Sequence, residues 1–189
     1  SALLGTDQLG RDVMARVLSG GRTAVFTGLA AVSLSTGLAL LVGVGSGFIG
    51  GQIDRVVTAV LDGLLTLPGL LVALAILGIF GTERVTLVLA LVGTAWASEA
   101  RVLRSVTRAL GQEGFVEAAR VSGASDLRVL CVHVLPSVWS ACIVLASLAL
   151  GEVLLVISGL SFLGIGAQPP DADWGDRKST RLNSSHGYI

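Results

Sequence analysis

Two carboxylates in apolar surroundings, Asp62 and Glu152, are the side chains of this 189-residue sequence best placed to do chemistry. A carboxylate inside a membrane serves a proton relay or ion path, or pairs with a cation on a neighbouring segment. Asp62 stands a few residues beyond the polar stretch Gln52-Ile53-Asp54-Arg55, which favours a structural group near a helix end. Glu152 either faces a pore or pairs with an arginine of another subunit. His133 lies two residues from Cys131, but positions i and i+2 of a helix point to different faces. His133 therefore reads as a packing or hydrogen-bonding residue, and no metal site is expected. Cys131 and Cys142 have neither CxxC nor histidine spacing and read as buried small hydrophobes. Gly45, Gly47 and Gly50 match GxGxxG, yet a dinucleotide site needs a strand before that motif, and an apolar helix precedes this one. Before the sole lysine, Lys178, Arg177 stands where a phosphate-binding loop requires glycine. With no Ser-His-Asp set and no paired carboxylates, neither catalysis, ATP hydrolysis nor a bound cofactor is expected.

The elements that hold these residues are apolar throughout. Hydrophobic residues make up 52% of the chain and charged residues 14%, against about a quarter charged in soluble domains; the mean hydropathy is +0.81. Thr23 to Ile53, Gly63 to Thr82 and Val129 to Gly151 carry no charge, and about 20 apolar residues suffice to cross a bilayer. The expected fold class is all-α, a polytopic helical bundle in a membrane. Thirteen basic and thirteen acidic residues balance, so no nucleic-acid partner is suggested. The first 22 residues hold Arg11, Arg16 and Arg22 and do not read as a cleavable signal peptide.

Residues 1–22 read as a polar lead-in with a short interfacial helix, Val13, Val17 and Leu18 on one face. The first span is expected over 23–49, and Gly43, Gly47 and Gly51 at four-residue spacing would let another helix backbone approach. Gln52 to Arg55 reads as a turn, followed by spans over 56–80 and 85–102. The eleven Leu, Ile, Val and Phe residues from Gly63 to Phe80 outweigh the roughly 2.5–3.5 kcal/mol cost of inserting Asp62. The polar centre, with Arg101, Arg104, Arg108, Arg120 and Arg128, is the most basic inter-span region, and the positive-inside rule makes it cytoplasmic. The lead-in is then outside and the Gln52–Arg55 turn inside. A last span is expected over 134–157, since a hairpin at Gly151-Glu152 would strand backbone groups in lipid. The only lysine, asparagine and tyrosine fall in the final twelve residues, so the tail 176–189 reads as disordered or foreign to the rest.

The segment from Glu113 to Val138 is charged where its surroundings are not. Phe115, Ala118, Ala119 and Ser122 form a narrow face of one short helix, and Gly123 is a natural helix end. Ser125 or Asp126 begins a second helix with Leu127, Leu130 and Val134 on one face. Pro136 fits the first turn of the next span, where a missing N–H costs little. The expectation is a cytoplasmic helix–turn–helix joined rigidly to that span, with little bulk around its glycine and alanines, suited to a groove on a partner.

Glu117-Ala118-Ala119, Gly123, His133 and Leu135-Pro136, in that order and spacing, resemble the EAA loop of bacterial ABC-importer permeases. Histidine at position 133 resembles the branch handling dipeptides, oligopeptides and nickel. Residues 3–16, 62–75 and 160–175 are similar to the same branch, so the resemblance covers 3–175. It implies a MetI-like permease domain over 23–175 with a coupling loop at 103–133. Glu117, Ala118, Ala119, Gly123, His133, Leu135 and Pro136 would then serve docking onto a separate ABC ATPase. The expected partners are ATPase subunits, a second permease subunit in a heterodimer, an extracytoplasmic solute-binding protein and the lipid bilayer of a bacterial inner membrane. The family's first and last helices would lie outside this sequence, leaving four of about six spans. The alternative class is an ion- or proton-coupled carrier or channel using Asp62 and Glu152.

Overall fold

The computed structural model describes residues 13–162; the start of the lead-in and the tail 176–189 lie outside the described residues. These residues are all-α, as lipid demands when every backbone polar group must find a partner within its own segment. Helix α1 (Val13–Ala39) passes through a π-helical turn at Leu40–Val44 into α2 (Gly45–Ile49). The short helix expected before the first span is continuous with it, because Gly20-Gly21 weakens a helix without breaking it.

The first turn falls at Gly50 and Gly51, not at Gln52–Arg55. Both glycines take positive φ, 68° and 65°, a region closed to most side chains. Gln52 to Arg55 instead form the first turn of α3 (Gly51–Leu65). The span expected over 56–80 is two helices, α3 and α4 (Gly69–Phe80), bent by 80°. Pro68 supplies the reason: it has no N–H, and it pushes Leu67 out of helical geometry.

Helix α5 (Arg84–Leu110) outruns the expected 85–102 and carries Arg101, Arg104 and Arg108 on its last turns. Helix α6 (Gly114–Val121) and α7 (Asp126–Val129) follow, and a π-helical turn at Leu130–Val134 leads into α8 (Leu135–Phe162). From Asp126 to Ser161 the helix is continuous over 36 residues, so Pro136 does not stand at a helix start. A proline ring collides with the carbonyl four residues back. Here Leu135 N–H donates five residues back to Leu130 O, and that wider turn makes room for the ring just beyond it.

Among the described residues, three stretches are long and apolar enough to cross a membrane, Gly20–Ile49, Arg84–Leu110 and Asp126–Ser161, with the bent α3–α4 pair as a fourth. Helix α5 is the axis, packing against α1, α2, α3, α4 and α8. Ala39, Val44, Leu61, Ala97, Ala100 and Leu103 share one core with Val116, Val129, Val134 and Val138. Leu91 joins Ala31, Val32, Ala149, Val153 and Ile157 further along. The outer faces are apolar as well, Leu41, Ile79 and Leu155 each being about three-quarters exposed, as a lipid-facing surface permits.

The four-residue glycine spacing is used at two of its three positions. A methyl group on Gly43 would sit 2.5 Å from Ala100 O, and one on Gly47 would sit 2.7 Å from Arg104 O. Both contacts are to backbone, which cannot rotate away. Gly51 faces open space and serves the turn. Gly43→Val and Gly47→Val are expected to lower stability by about 3 kcal/mol or more through overpacking, while Gly45→Ala, in open space, changes it little; thermal unfolding in detergent reads the difference.

Candidate functional site

Two polar constellations hang on α5, one structural and one at an exposed end. On α3, Asp54 is 4% exposed and both its carboxylate oxygens are used. Arg104 donates Nε–H to Oδ1 and, at 2.8 Å, Nη2–H to Oδ2, while Arg108 reaches Oδ2 at 3.0 Å. The fork of Arg104 matches the carboxylate plane, the strongest form of such a bond. Two turns on, Asp62 meets Arg101 with both side chains about half exposed. Three arginines at i, i+3 and i+7 of α5 thus face two aspartates of α3 running the opposite way. Asp62 is an ion-paired group beside α5.

Nearer the middle of α5, Glu99 is 5% exposed. Ser35 Oγ donates to one carboxylate oxygen at 2.9 Å and Thr36 Oγ1 to the other at 2.7 Å. Burial of a carboxylate costs several kcal/mol unless such bonds replace water. These hydroxyls tie α1 to α5 just before the glycine contact. Glu152 lies on an exposed face of α8.

The exposed end is built by α6 and α7. Val116 is fully buried and pins α6, while Phe115, on the narrow face with Ala118, Ala119 and Ser122, is 45% exposed. The helix ends in a Schellman motif: Ala124 N–H donates to Ala119 O at 3.0 Å and Gly123 N–H to Arg120 O at 2.9 Å. Gly123 has φ 86°, the left-handed position that motif assigns to glycine. Ser125 caps α7 by accepting from Arg128 N–H, and Asp126 pairs with Arg120 at 3.4 Å. Arg120 also lies over the Phe48 ring, 5.8 Å from its centroid, which sets α6 and the end of α2 at the same end of the bundle.

The structure leaves Glu117, Ala118, Gly123 and Pro136 exposed and Ala119, His133 and Leu135 half-buried. Ala119 and Leu135 pack on the core beside Val116. The His133 ring is 6.3 Å from that of Phe115, which ties the approach to α8 back to α6. Cys131, expected buried, is exposed and Cys142 is buried; Cys131 projects away from the face carrying buried Val129 and Val134. Leu127, expected on the inner face with Leu130, is 71% exposed, and Val129 replaces it in the core. The π-helical turn shifts the phase between Val129 and Val134, and a regular 3.6-residue period cannot anticipate that.

Residues 39–183 match the family described as "Binding-protein-dependent transport system inner membrane component". The chain belongs to that family. It is 36% identical over 186 residues to the nickel transport system permease protein NikC of Escherichia coli, covering 98% of this chain and 66% of the relative. Against the glutathione transport system permease protein GsiD of Pectobacterium atrosepticum it is 36% identical over 172 residues, 91% of this chain and 57% of the relative. The di/tripeptide transport system permease protein DppC of Pseudomonas aeruginosa is 35% identical over 187 residues, 99% of this chain and 60% of the relative. The chain thus spans about three-fifths of the length of the curated relatives it matches. As an inner membrane component it is a membrane protein of the ABC-importer permease family, in the peptide and nickel branch.

Asp54, Glu99, Arg104 and Arg108 are not among the site residues expected from the sequence. The i, i+3, i+7 arginine spacing was the available signal. The two aspartate–arginine contacts differ in consequence. Asp54→Ala leaves the largely buried Arg104 unpaired and is expected to cost about 3–5 kcal/mol, whereas Asp62→Ala breaks a half-exposed pair for about 1 kcal/mol or less. Melting of the two variants in detergent measures the contrast.

Proposed function

We propose that this chain is the permease subunit of an ATP-driven importer, with the α6–Gly123–α7 platform as the part that docks on a separate ATPase. The observation that carries the reading is the platform's two-sided character. Its inner residues Val116 and Val129 are fully buried in the same core as Leu61, Leu103 and Val138. Its outer residues Glu117, Ala118, Val121, Ser122, Gly123 and Leu127 are all exposed, with Val121 at 84%. A displacement applied outside therefore reaches the membrane-spanning core without passing through a flexible loop. The Schellman turn and the capping serine hold the shape of the docking edge before a partner arrives, which lowers the ordering cost of binding.

The platform is read as cytoplasmic, from the five arginines of residues 101–128 and the positive-inside rule. A second permease subunit completes the pore, and an extracytoplasmic binding protein delivers substrate. The relatives are permeases for nickel, glutathione and di- or tripeptides, so a small peptide or a nickel species is the substrate class. Nothing favours the carrier alternative: Asp62 is already engaged by Arg101, and Glu152 lies on an exposed face.

The test uses the intact subunit assembled with its partners in membranes. Gly123→Pro demands a φ near −65° where the chain has 86°. Glu117→Arg reverses charge on the docking edge. Both are expected to leave the subunit in the membrane while uptake per ATP hydrolysed falls about tenfold or more. Normal uptake with Gly123→Pro rejects the docking role.

A further inference from the structure

The bend between α3 and α4 is held in an uneven way. At its start, α3 is clamped by Asp54, whose two oxygens meet Arg104 and Arg108. Beyond the bend, α4 is packed on α5 through Ala73, Leu77 and Ala90, with Gly69 in contact range of Thr94. Between these anchors, residues 62–64 and 66–69 are exposed and Leu65 is half-buried. The elbow's own bonds are local: Thr66 N–H and hydroxyl go to Gly63 O, and Leu67 N–H goes to Leu64 O. Among the described residues, one polar contact ties the elbow to another helix, the Asp62–Arg101 pair. Gly63 has open space around it, and Pro68 keeps the helix from closing across the gap.

We propose that this elbow is a movable gate element and that Asp62 and Arg101 are its latch, positioning residues that hold it against α5 in one state and release it in the other. The asymmetry of the two aspartates carries the inference. A chelated, buried Asp54 fixes the root of α3, while the Asp62–Arg101 pair, about half exposed and joined by a single contact, gives up less on separating. Arg101 stands three residues before Arg104 on the helix that runs on to the platform, with three residues between α5 and α6. Motion of the platform therefore acts on the latch through a single rigid helix. A bistable contact of this kind turns a small displacement into a discrete rearrangement.

This inference rests on the permease reading, and the experiment separates the two. The intact importer, with Cys131 and Cys142 replaced by serine, carries nitroxide labels on Leu64→Cys and Ser98→Cys, at the latch. A second sample carries them on Arg55→Cys and Ala109→Cys, at the clamp. Distances are read by pulsed electron resonance without nucleotide and with ATP and vanadate trapped. The latch distance is expected to shift by about 5 Å, one helical turn, and the clamp distance to stay fixed. In the Asp62→Asn background the latch distance in the nucleotide-free state moves to the trapped value, and the charge exchange Asp62→Arg with Arg101→Asp restores the difference. A latch distance that is the same in both states, or an unaltered distance in Asp62→Asn, overturns the gate. If Gly123→Pro leaves uptake normal, the docking role fails; if it uncouples uptake while the latch stays still, only the gate fails.

Discussion

Backbone-to-backbone contact between the α1–α2 segment and α5 is the constraint on which the rest of this structure depends. In lipid there is no hydrophobic force to press helices together, so close approach and interhelical hydrogen bonds must hold them. Gly43 and Gly47 permit the approach, and the hydroxyls of Ser35 and Thr36 bind Glu99 about two turns before Gly43. Once α5 is fixed against the α1–α2 segment, its adjoining face presents Arg101, Arg104 and Arg108 to α3, and its end directs the chain into α6. The platform and the exposed elbow are therefore referred to the same axis.

The division of labour among the charged residues follows from burial. Asp54 and Arg104 are almost enclosed by the bundle and act as one rigid unit, while Asp62 and Arg101 are about half exposed. The same chemical pair thus serves as a weld in one place and a releasable contact eight residues away. The platform shows the same economy in its apolar residues. Val116 and Val129 anchor it, and Val121 and Leu127, of the same character, are left outside.

Much of this was legible in the sequence where one local pattern determines one structure. Gly43 and Gly47 announce a close crossing, Gly123 announces a left-handed helix end, and the charge-free runs announce spans. Legibility failed where a second, distant segment decides the outcome. Gln52 to Arg55 looks like a turn because it is polar, but Asp54 is polar so that it can be neutralised by arginines some fifty residues further on. Arg101 to Arg108 look like a loop for the same reason, since their counter-charges are out of local view. The π-helical turn at Leu130–Val134 shifts the phase between the residues on its two sides, which is why Val129, not Leu127, shares the buried face with Val134.

The placement of Glu99 bears on how the chain enters the bilayer during synthesis. Helix α5 carries one buried acid and, beyond Arg84 at its start, three arginines in its second half, a load that an isolated apolar segment accepts poorly, at about 2.5–3.5 kcal/mol for each charge near the centre. The groups that relieve this load, Ser35 and Thr36 on α1 and Asp54 and Asp62 on α3, all precede it in the chain. By the time α5 leaves the ribosome, its hydrogen-bond donors and counter-ions are already made. The order of these helices along the chain is thus an order of assembly, in which the two described membrane segments before α5 prepare its partners.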